Sequence, residues 1–370
     1  MTVRIPPEID GIAPQVGSRT ARAIEQAAGE VTALDQTAVH SLSALSGFLL
    51  RSESIASSKI ERVYATREEF ALAVAGQSTG PDALFTVGAM TAVTGLVDST
   101  TGHQPITLEA MQAAHHALMH QDRVEGRWAG RFREQQNWIG GSDWSPRDAL
   151  YVPPPPDEID RLIRDLLAAA NRDDLPAFTQ AALVHAQFES IHPYTDGNGR
   201  IGRALINTVL RRREATIRTV VPVASVMLAD IDAYFDRLNQ YRDGDADGFV
   251  RYLADSATSA AHEAQVSAKA LAALPQQWAD VIHVRSHSGT QAVLDVLLDT
   301  PVLTDTGAAK AAGIAVNRVY KALDELEQAG IISEITGRKR DRVWQVDEVL
   351  DELDRLEARI GRRQPPTTST

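Results

Sequence analysis

The chain has no cysteine among its 370 residues. Disulfides, thiolate nucleophiles and cysteine-based zinc sites are therefore excluded, and the composition fits a reducing compartment. The sequence also has no apolar run whose length approaches the roughly eighteen residues needed to cross a bilayer. Its N-terminus does not have the charged and then apolar pattern of a signal peptide. We therefore expect a cytoplasmic protein that does not enter a membrane.

Aromatic residues make up only 5% of the chain, and basic residues are fewer than acidic ones, at 37 against 49. The resulting net charge of −12 argues against nucleic-acid coating through overall charge, although a local basic patch stays compatible with it. The hydrophobic content of 44% supports real cores. A chain of this length predicts two or three domains.

Most of the chain has the apolar spacing of amphipathic helices, which predicts a mainly α fold. Thr107 begins a capped helix that reaches to about His120. Residues 126–156 differ, with three tryptophans, several glycines and four consecutive prolines, and they predict a hairpin with irregular loops. The other predicted helical segments are residues 18–72, 85–97, 157–170, 176–191, 231–238 and 247–274.

The pattern changes from residue 291, where three short helices precede two strands at 331–335 and 343–346. We interpret residues 275–362 as a winged helix-turn-helix. A dense basic cluster in the wing could contact the phosphates of DNA, and a protein-docking wing is an equal alternative because the third helix is rich in acidic residues. A last helix could bury against the wing or form a homodimer. The basic cluster consists of Arg338, Lys339, Arg340 and Arg342.

Residues 192–203 read His-Pro-Tyr-Thr-Asp-Gly-Asn-Gly-Arg-Ile-Gly-Arg and are the most informative segment. Pro193 disfavours helical geometry at His192, so the preceding helix should end there. Gly197 and Gly199 let the backbone bend until successive N–H groups point into one concavity. Such groups at a helix N-terminus bind phosphate, so the turn predicts an anion site.

The charged side chains of this segment suit a nucleoside triphosphate. Imidazole is the side chain best able to take a proton from a hydroxyl near neutral pH, which makes His192 a candidate base. Asp196 is the one acid in the turn, and Mg²⁺ on a triphosphate commonly uses one or two protein carboxylates. Arg200 and Arg203 lie three residues apart and can share a face. The alternative is a plain turn, in which Asp196 caps its own loop and His192 packs.

This segment resembles the signature of the Fic (filamentation induced by cAMP) family, His-Pro-Phe-x-Asp/Glu-Gly-Asn-Gly-Arg-x-x-Arg, with Tyr194 in place of Phe. The resemblance implies a Fic helical core at residues 101–265 behind an N-terminal helical domain at 1–100. It implies a protein adenylyltransferase that uses Mg-ATP and transfers AMP to a Ser, Thr or Tyr hydroxyl of a target protein, or to itself.

The resemblance also implies the roles of individual residues. His192 is the implied catalytic base and Asp196 the implied magnesium ligand, while Arg203 is placed for the γ-phosphate. The nucleotide-binding residues implied by the motif are Asp196, Gly197, Asn198, Gly199, Arg200, Ile201, Gly202 and Arg203.

A second resemblance lies upstream, in Ser57-Ser58-Lys59-Ile60-Glu61-Arg62. Ser57 and Glu61 stand four residues apart and share a helix face. The segment resembles the Fic inhibitory-helix motif Ser/Thr-x-x-x-Glu-Gly/Asn, with Arg62 departing from Gly or Asn. An inhibitory helix near residues 53–62 is thus implied, in which Glu61 pairs with Arg203 and denies it to the γ-phosphate. The alternative is that Ser57 and Glu61 are ordinary surface residues.

Two further stretches resemble Fic elements. Residues 130–141 resemble the flap, a hairpin that aligns a target segment, and they give Ile139 and Gly140 as candidate site residues. Core packing of Trp138 and Ile139 is an equal alternative. Tyr234 occupies a place where Fic proteins contact adenosine, and Arg242 stands where an amide is usual.

Two other functions are compatible with these residues. One is the removal of AMP, in which Glu61 would position a water molecule. The other is a DNA-binding regulator whose Fic core only senses nucleotide. An intact His192 favours chemistry over sensing. Histidines outside the motif, such as His115 and His185, are expected to be structural or surface residues.

Overall fold

The computed structural model describes residues 3–37, 42–77, 79–142, 145–338 and 340–363. Those residues form fifteen α-helices, one short 3-10 helix and one three-stranded sheet, which confirms the mainly α fold class. The first five helices are α1 (Ser18–Gln36), α2 (Leu42–Ile60), α3 (Arg67–Val74), α4 (Pro81–Ser99) and α5 (Leu108–Met119).

The helices of the middle of the chain are α6 (Pro156–Ala170), α7 (Ala177–Ile191), α8 (Asn198–Arg212), α9 (Val223–Ala229), α10 (Ile231–Arg242) and α11 (Ala246–Val281). Most of them agree with the predicted segments to within a few residues, but α9 was not predicted and α11 continues past Pro275. Within the described ranges, no helix is long and apolar enough to cross a membrane.

Polar residues begin several of these helices. The hydroxyl of Thr107 accepts the N–H of Ala110, as the sequence predicted for the start of α5. Thr66 and Glu69 form a reciprocal capping box at the start of α3. These caps satisfy N–H groups that have no partner inside the helix.

Helices α7 and α8 form the centre of the core. Residues 178–191 of α7 are all buried, and so is all of α8 except Arg211. The two helices pack on each other, while α4 and α5 cover α8 and α11 covers α7. Because both helices are enclosed, the turn between them, residues 192–197, is fixed at both ends.

The C-terminal module, residues 289–363, consists of α12 (Gly289–Leu294), β1 (Val302–Thr304), α13 (Asp305–Ala312), α14 (Val316–Gln328), β2 (Ser333–Glu334), β3 (Val343–Gln345) and α15 (Asp347–Arg363). The strands are antiparallel in the order β1-β3-β2. Trp344 of β3 pairs with Leu303 of β1 on one side and with Glu334 of β2 on the other. The winged helix remains our interpretation of this module.

The strands of this module differ from the predicted ones. Strand β1, which has only three residues, was not predicted, and the two predicted strands were longer than β2 and β3. The last helix, for which packing on the wing and dimerisation were open alternatives, packs as α15 on α11, α9 and α2 of the same chain. Lys339 of the predicted basic cluster lies outside the described residues.

The segment between α5 and α6 is irregular, as predicted. It contains a 3-10 helix at Gly126–Trp128, and the expected hairpin is reduced to isolated bridges. One bridge pairs Ile139 with Tyr151 and another pairs Ser142 with Ser145. This hairpin leads directly into α6.

Candidate active site

His192 ends helix α7 in a left-handed backbone conformation, at φ 51° and ψ 60°. Its N–H still bonds the carbonyl of Phe188 at 2.9 Å, and Pro193 prevents the helix from continuing. Burial, together with the charges of Arg242 and Arg133, lowers the pKa of His192 to about 3. The imidazole is therefore neutral at physiological pH and able to accept a proton.

Two side chains hold the turn that follows His192. The amide of Asn198 accepts the N–H of Tyr194 at 2.8 Å and donates to the carbonyl of the same residue at 2.9 Å. Gly197 has a left-handed φ of 76°. The Asn198 side chain thus closes the turn with its oxygen and one of its two amide hydrogens, and the phosphate contact of Asn198 stays a prediction.

His115 supports the same turn from helix α5, and the sequence gave no sign of this. Its ring stacks on Tyr194 at 3.6 Å between centroids, and its Nε2 lies 3.0 Å from the carbonyl oxygen of Asp196. Its Nδ1 accepts the N–H of Gly130 at 2.8 Å, so Nε2 carries the proton and donates to Asp196. Burial lowers the pKa of His115 to about 4, so the ring is neutral.

Arg133 is a second supporting residue that sequence reasoning missed. Its Nε donates to the carbonyl of His192 at 2.9 Å, and its own N–H donates to the carbonyl of Pro193 at 2.9 Å. The guanidinium also donates to the carbonyls of Gln135 and Pro154, which stand at the two ends of the hairpin. One buried side chain thus joins the hairpin to the His192 turn.

Arg200 is buried beside this turn, with 4% of its side chain exposed. Its Nη2 lies 3.7 Å from Oδ2 of Asp196 and 3.6 Å from the sulfur of Met119. No group in the described part of the chain accepts a hydrogen bond from its Nε or Nη1. A buried cation with unsatisfied donors is costly unless an anion completes it.

Asp196 is the carboxylate available for a metal ion in this turn. Its side chain is 54% exposed, and its Oδ1 accepts the N–H of Gly197 at 2.5 Å. Across the described ranges, no group of three or more His, Asp or Glu residues could hold a metal. One exposed carboxylate beside the predicted phosphate site nevertheless fits Mg²⁺, which commonly keeps waters and phosphate oxygens as its other ligands.

Arg203 is almost completely buried and points to helix α2. Its Nη2 lies 2.6 Å from Oε1 of Glu61, and its Nε donates to the hydroxyl of Ser57 at 2.8 Å. The same Nη2 donates to the carbonyl of Ser57 at 2.9 Å. Burial would lower the pKa of Arg203, but the carboxylate of Glu61 raises it above its ordinary value.

Glu61 lies at the end of α2, in a Schellman cap. The N–H of Val63 bonds the carbonyl of Ser58 at 3.0 Å, and the N–H of Arg62 bonds that of Lys59 at 3.0 Å. Arg62 therefore occupies the left-handed position, at φ 59°, where glycine or asparagine has least strain. This requirement gives a physical reason for the Gly or Asn that the inhibitory motif usually has at this place.

Two glycines of α8 leave room for the carboxylates of Glu61 and Glu189. A Cβ on Gly199 would lie 1.9 Å from Oε1 of Glu61 and 3.0 Å from Nη1 of Arg203. A Cβ on Gly202 would lie 2.5 Å from Oε1 of Glu189. Ile201, between them, is fully buried in the core. A nucleotide contact by these three residues, as we predicted, would therefore be through the backbone.

Three further residues, Tyr234, Ile139 and Gly140, were predicted to contact the nucleotide. Tyr234 is fully buried, and its hydroxyl lies 3.1 Å from Nε2 of His185. Ile139 exchanges backbone hydrogen bonds with Leu150 and Tyr151. Gly140 follows Ile139 with a left-handed φ of 73°. The nucleotide contacts of Tyr234, Ile139 and Gly140 remain predictions.

The sequence of this site matches known proteins. Residues 105–210 match the model of the Fic/DOC family. A protein adenylyltransferase Fic from Aedes aegypti is 32% identical over 154 residues, which are 40% of this chain and 27% of that protein. One from Drosophila willistoni is 30% identical over 192 residues, 51% of this chain and 34% of that protein. The chain thus covers about a third of the length of these relatives.

Solved structures share the fold. A Fic family protein from Desulfovibrio desulfuricans G20 aligns with a TM-score of 0.58 at 19% identity, over 90% of this chain and 97% of that one. A fragment of Fic-1 from C. elegans aligns with a TM-score of 0.51 at 18% identity, over 68% of this chain and 73% of that one. At such identities the likeness concerns the fold alone.

Proposed function

We propose, since this chain belongs to the Fic/DOC family through residues 105–210, that it is a protein adenylyltransferase. It would transfer AMP from ATP to a Ser, Thr or Tyr hydroxyl of a target protein, or to itself. The observation that carries the proposal is the buried guanidinium of Arg200, which has two donors without an acceptor among the described residues, in the segment that presents neutral His192.

The reaction needs one proton acceptor and one binding site for phosphates. His192 takes the proton from the target hydroxyl as its oxygen attacks the α-phosphorus. A bond forms between that oxygen and the α-phosphorus, and the bond to the β-phosphate breaks, so pyrophosphate leaves and AMP stays on the target. The backbone N–H groups at the start of α8 and the guanidinium of Arg200 hold the phosphate oxygens.

Magnesium would complete the site, with Asp196 as its one protein ligand. When bound, the ion neutralises phosphate charge as the leaving group separates. The carboxylate of Asp196 is exposed next to the buried Arg200, which gives a metal ion and a phosphate group neighbouring positions.

The contact between Glu61 and Arg203 supports a second part of the proposal, that the enzyme inhibits itself. Arg203 would clamp the γ-phosphate with its guanidinium fork. The carboxylate of Glu61 already holds Nη2 of that guanidinium at 2.6 Å. ATP and Glu61 would therefore compete for one group, so the γ-phosphate could bind productively only after Glu61 moves.

We assign the rest of the chain accordingly. Residues 101–265 would form the catalytic core and residues 1–100 the N-terminal domain that carries the inhibitory helix. The hairpin with Ile139 and Gly140 would align the target, while Tyr234 would line the adenosine end. A C-terminal winged helix, from about residue 275 to 362, would contact DNA or protein.

The test is incorporation of label from α-labelled ATP into the purified chain with Mg²⁺, measured in a Glu61→Gly background that removes the competing carboxylate. We expect labelling there and none in Glu61→Gly with His192→Ala, while ATP binding stays nearly unchanged because the phosphate nest is built from backbone. Labelling that survives loss of His192 would contradict the assignment of the base.

A further inference from the structure

The last turn of α2 presents different sides to two parts of the chain. Ser57 contacts Arg203 of the core, with 2.8 Å between the hydroxyl and Nε. Lys59 points elsewhere, and its Nζ lies 2.9 and 2.7 Å from the two carboxylate oxygens of Glu357 in α15. Residues two apart on an α-helix project about 200° from each other. The helix end that holds Arg203 thus also holds the C-terminal module.

A second contact joins the module to the next helix. Arg67, the first residue of α3, donates from Nη1 to Asp351 at 2.6 Å and from Nη2 to Asp354. Asp351, Asp354 and Glu357 stand three residues apart in α15 and share one face. We call these three residues the α15 acidic stripe. It pairs with a cation on each side of the loop that contains Glu61.

Helix α3 is also bound to the sheet of the module. Ala71 packs with Val302 of β1 and Val343 of β3 in a small apolar cluster. Beyond α3, the side chain of Gln77 donates to the backbone carbonyl of Asp341 in the loop between β2 and β3. The module therefore contacts the segment from Lys59 to Gln77, which includes Glu61, at several points along its length.

The α15 acidic stripe is itself fixed to the core. Glu352, buried on the other side of α15, accepts from the hydroxyl of Ser267 at 2.9 Å and from Nη2 of Arg359 at 2.8 Å. Arg359 also donates from Nε to Glu263 of α11 at 3.0 Å. Because α15 is tied to α11 in this way, a shift of the module that frees Lys59 and Arg67 must also break these contacts with α11.

The packing between α2, α3 and α15 is incomplete. A cavity of about 80 Å³ lies between them, and its walls include Ile55, Phe70, Leu350 and Leu353. The ion pairs at its rim are partly exposed, with 27% of Lys59 and 40% of Glu357 accessible. Pairs of this kind contribute weakly to stability, which suits a contact that opens and closes.

We propose that the C-terminal module regulates the candidate active site through this clamp. While the α15 acidic stripe holds Lys59 and Arg67, the end of α2 keeps Glu61 on Arg203. When the module shifts, the clamp opens and Arg203 becomes available to the γ-phosphate. The inference rests on the proposed adenylyl transfer and names the part of the chain that controls it.

The test measures self-labelling from α-labelled ATP in the full chain. Lys59→Glu places a carboxylate against Glu357 and should raise labelling roughly two- to fivefold. Glu357→Lys should do the same. The double variant with both substitutions restores an opposite pair and should return labelling to the wild-type level. Lys269→Glu, on the exposed side of α11, is the matched control and should change nothing.

Two further measurements separate this proposal from the proposed function. Lys59→Glu should add nothing once Glu61→Gly is present, because the clamp acts through Glu61. Hydrogen exchange at the amides of residues 61–63 should rise in Lys59→Glu and recover in the charge swap, since these amides close the end of α2.

The possible failures are distinct. An inactive Glu61→Gly chain would overturn adenylyl transfer, and hydrogen exchange would then decide whether the α15 acidic stripe holds α2. An active Glu61→Gly chain, with exchange and labelling unchanged in Lys59→Glu, would overturn the clamp. Labelling that rises further in the Glu61→Gly background would also overturn it, because the effect would bypass Glu61.

Discussion

Glu61 and Arg203 are 142 residues apart in sequence, yet Oε1 of Glu61 lies 2.6 Å from Nη2 of Arg203. Arg203 is 1% exposed and Glu61 33%, so the pair joins a fixed cation to a more accessible carboxylate. A contact of this kind can be broken from the Glu61 side without changing the fold around Arg203.

Arg62 should weaken the inhibitory end of α2. Its left-handed backbone costs a non-glycine residue about 1 kcal/mol, and Arg62→Gly should remove that strain. We expect basal self-labelling to fall about fivefold because the cap that carries Glu61 becomes more stable. Glu214, left-handed at φ 52° after α8, is the control. Glu214→Gly should raise thermal stability without lowering labelling, and a drop in both variants would contradict the explanation.

Gly199 should tolerate a side chain better once Glu61 is removed. In the wild-type chain, Gly199→Ala places a Cβ against the carboxylate of Glu61, so the melting temperature should fall. In the Glu61→Gly background that carboxylate is gone, and Nη1 of Arg203, 3.0 Å from the Cβ, is the nearest remaining group, so the fall should be smaller. Thermal denaturation of the four chains gives the comparison. An equal fall in both backgrounds would mean that Glu61 does not lie against Gly199.

The pH dependence should reflect the neutral state of His192. Burial, Arg242 and Arg133 lower its pKa to about 3, so the base is protonated only in strong acid. Its ordinary pKa is about 6.5, and a base loses activity as pH falls through its pKa. We expect the turnover of Glu61→Gly to remain nearly constant from about pH 8 to about pH 5, with no fall centred near 6.5.

Arg242→Gln offers a check on the cause of this shift. Without that charge the pKa of His192 rises, so activity should begin to fall at a higher pH. Arg237→Gln, on the same helix, is the control because its guanidinium bonds Gln240. If activity falls at the same acidic pH in Arg242→Gln, in Arg237→Gln and in the chain with neither substitution, Arg242 does not act on His192.

The wing should contact phosphates through Arg338 and Arg340, which are exposed, if it binds DNA. Replacing both with alanine should reduce the slope of log K for duplex binding against log salt concentration by about two. Arg342→Ala should change the slope little, because its guanidinium lies 4.4 Å from the ring centre of Trp344 and 3.7 Å from Asp324. Absence of DNA binding at low salt would leave protein docking as the role of the wing.

The sequence predicted those parts of the site that depend on local geometry. Pro193 and the glycines of residues 192–203 required a turn between two helices, and the spacing of Ser57 and Glu61 placed both on one face of α2. The pairing of Glu61 with Arg203 was implied by the resemblance to the Fic inhibitory motif, whereas the contact of Ser57 with Arg203 was not predicted. Helical spacing also predicted most helices, because apolar faces repeat over several turns.

Other parts depend on contacts that have no local signature. Arg133 and His115 hold the turn through backbone carbonyls far away in sequence, so no spacing could reveal them. Helix α15 packs on α11, α9 and α2 and pairs Glu357 with Lys59, but its amphipathic pattern suits many partners equally. Strand β1, with three residues, is too short to show alternation.

The most direct test of the account is AMP transfer in chains with and without Glu61. Purified wild type, Glu61→Gly and Glu61→Gly with Arg203→Ala would be incubated with α-labelled ATP and Mg²⁺, and the label on protein would be counted. We predict that Glu61→Gly raises labelling about tenfold or more and that loss of Arg203 lowers it again, because the γ-phosphate loses its clamp. Labelling that is unchanged without Glu61 would contradict autoinhibition, and an AMP-removing activity lost with Glu61 would instead identify that carboxylate as the group that positions water.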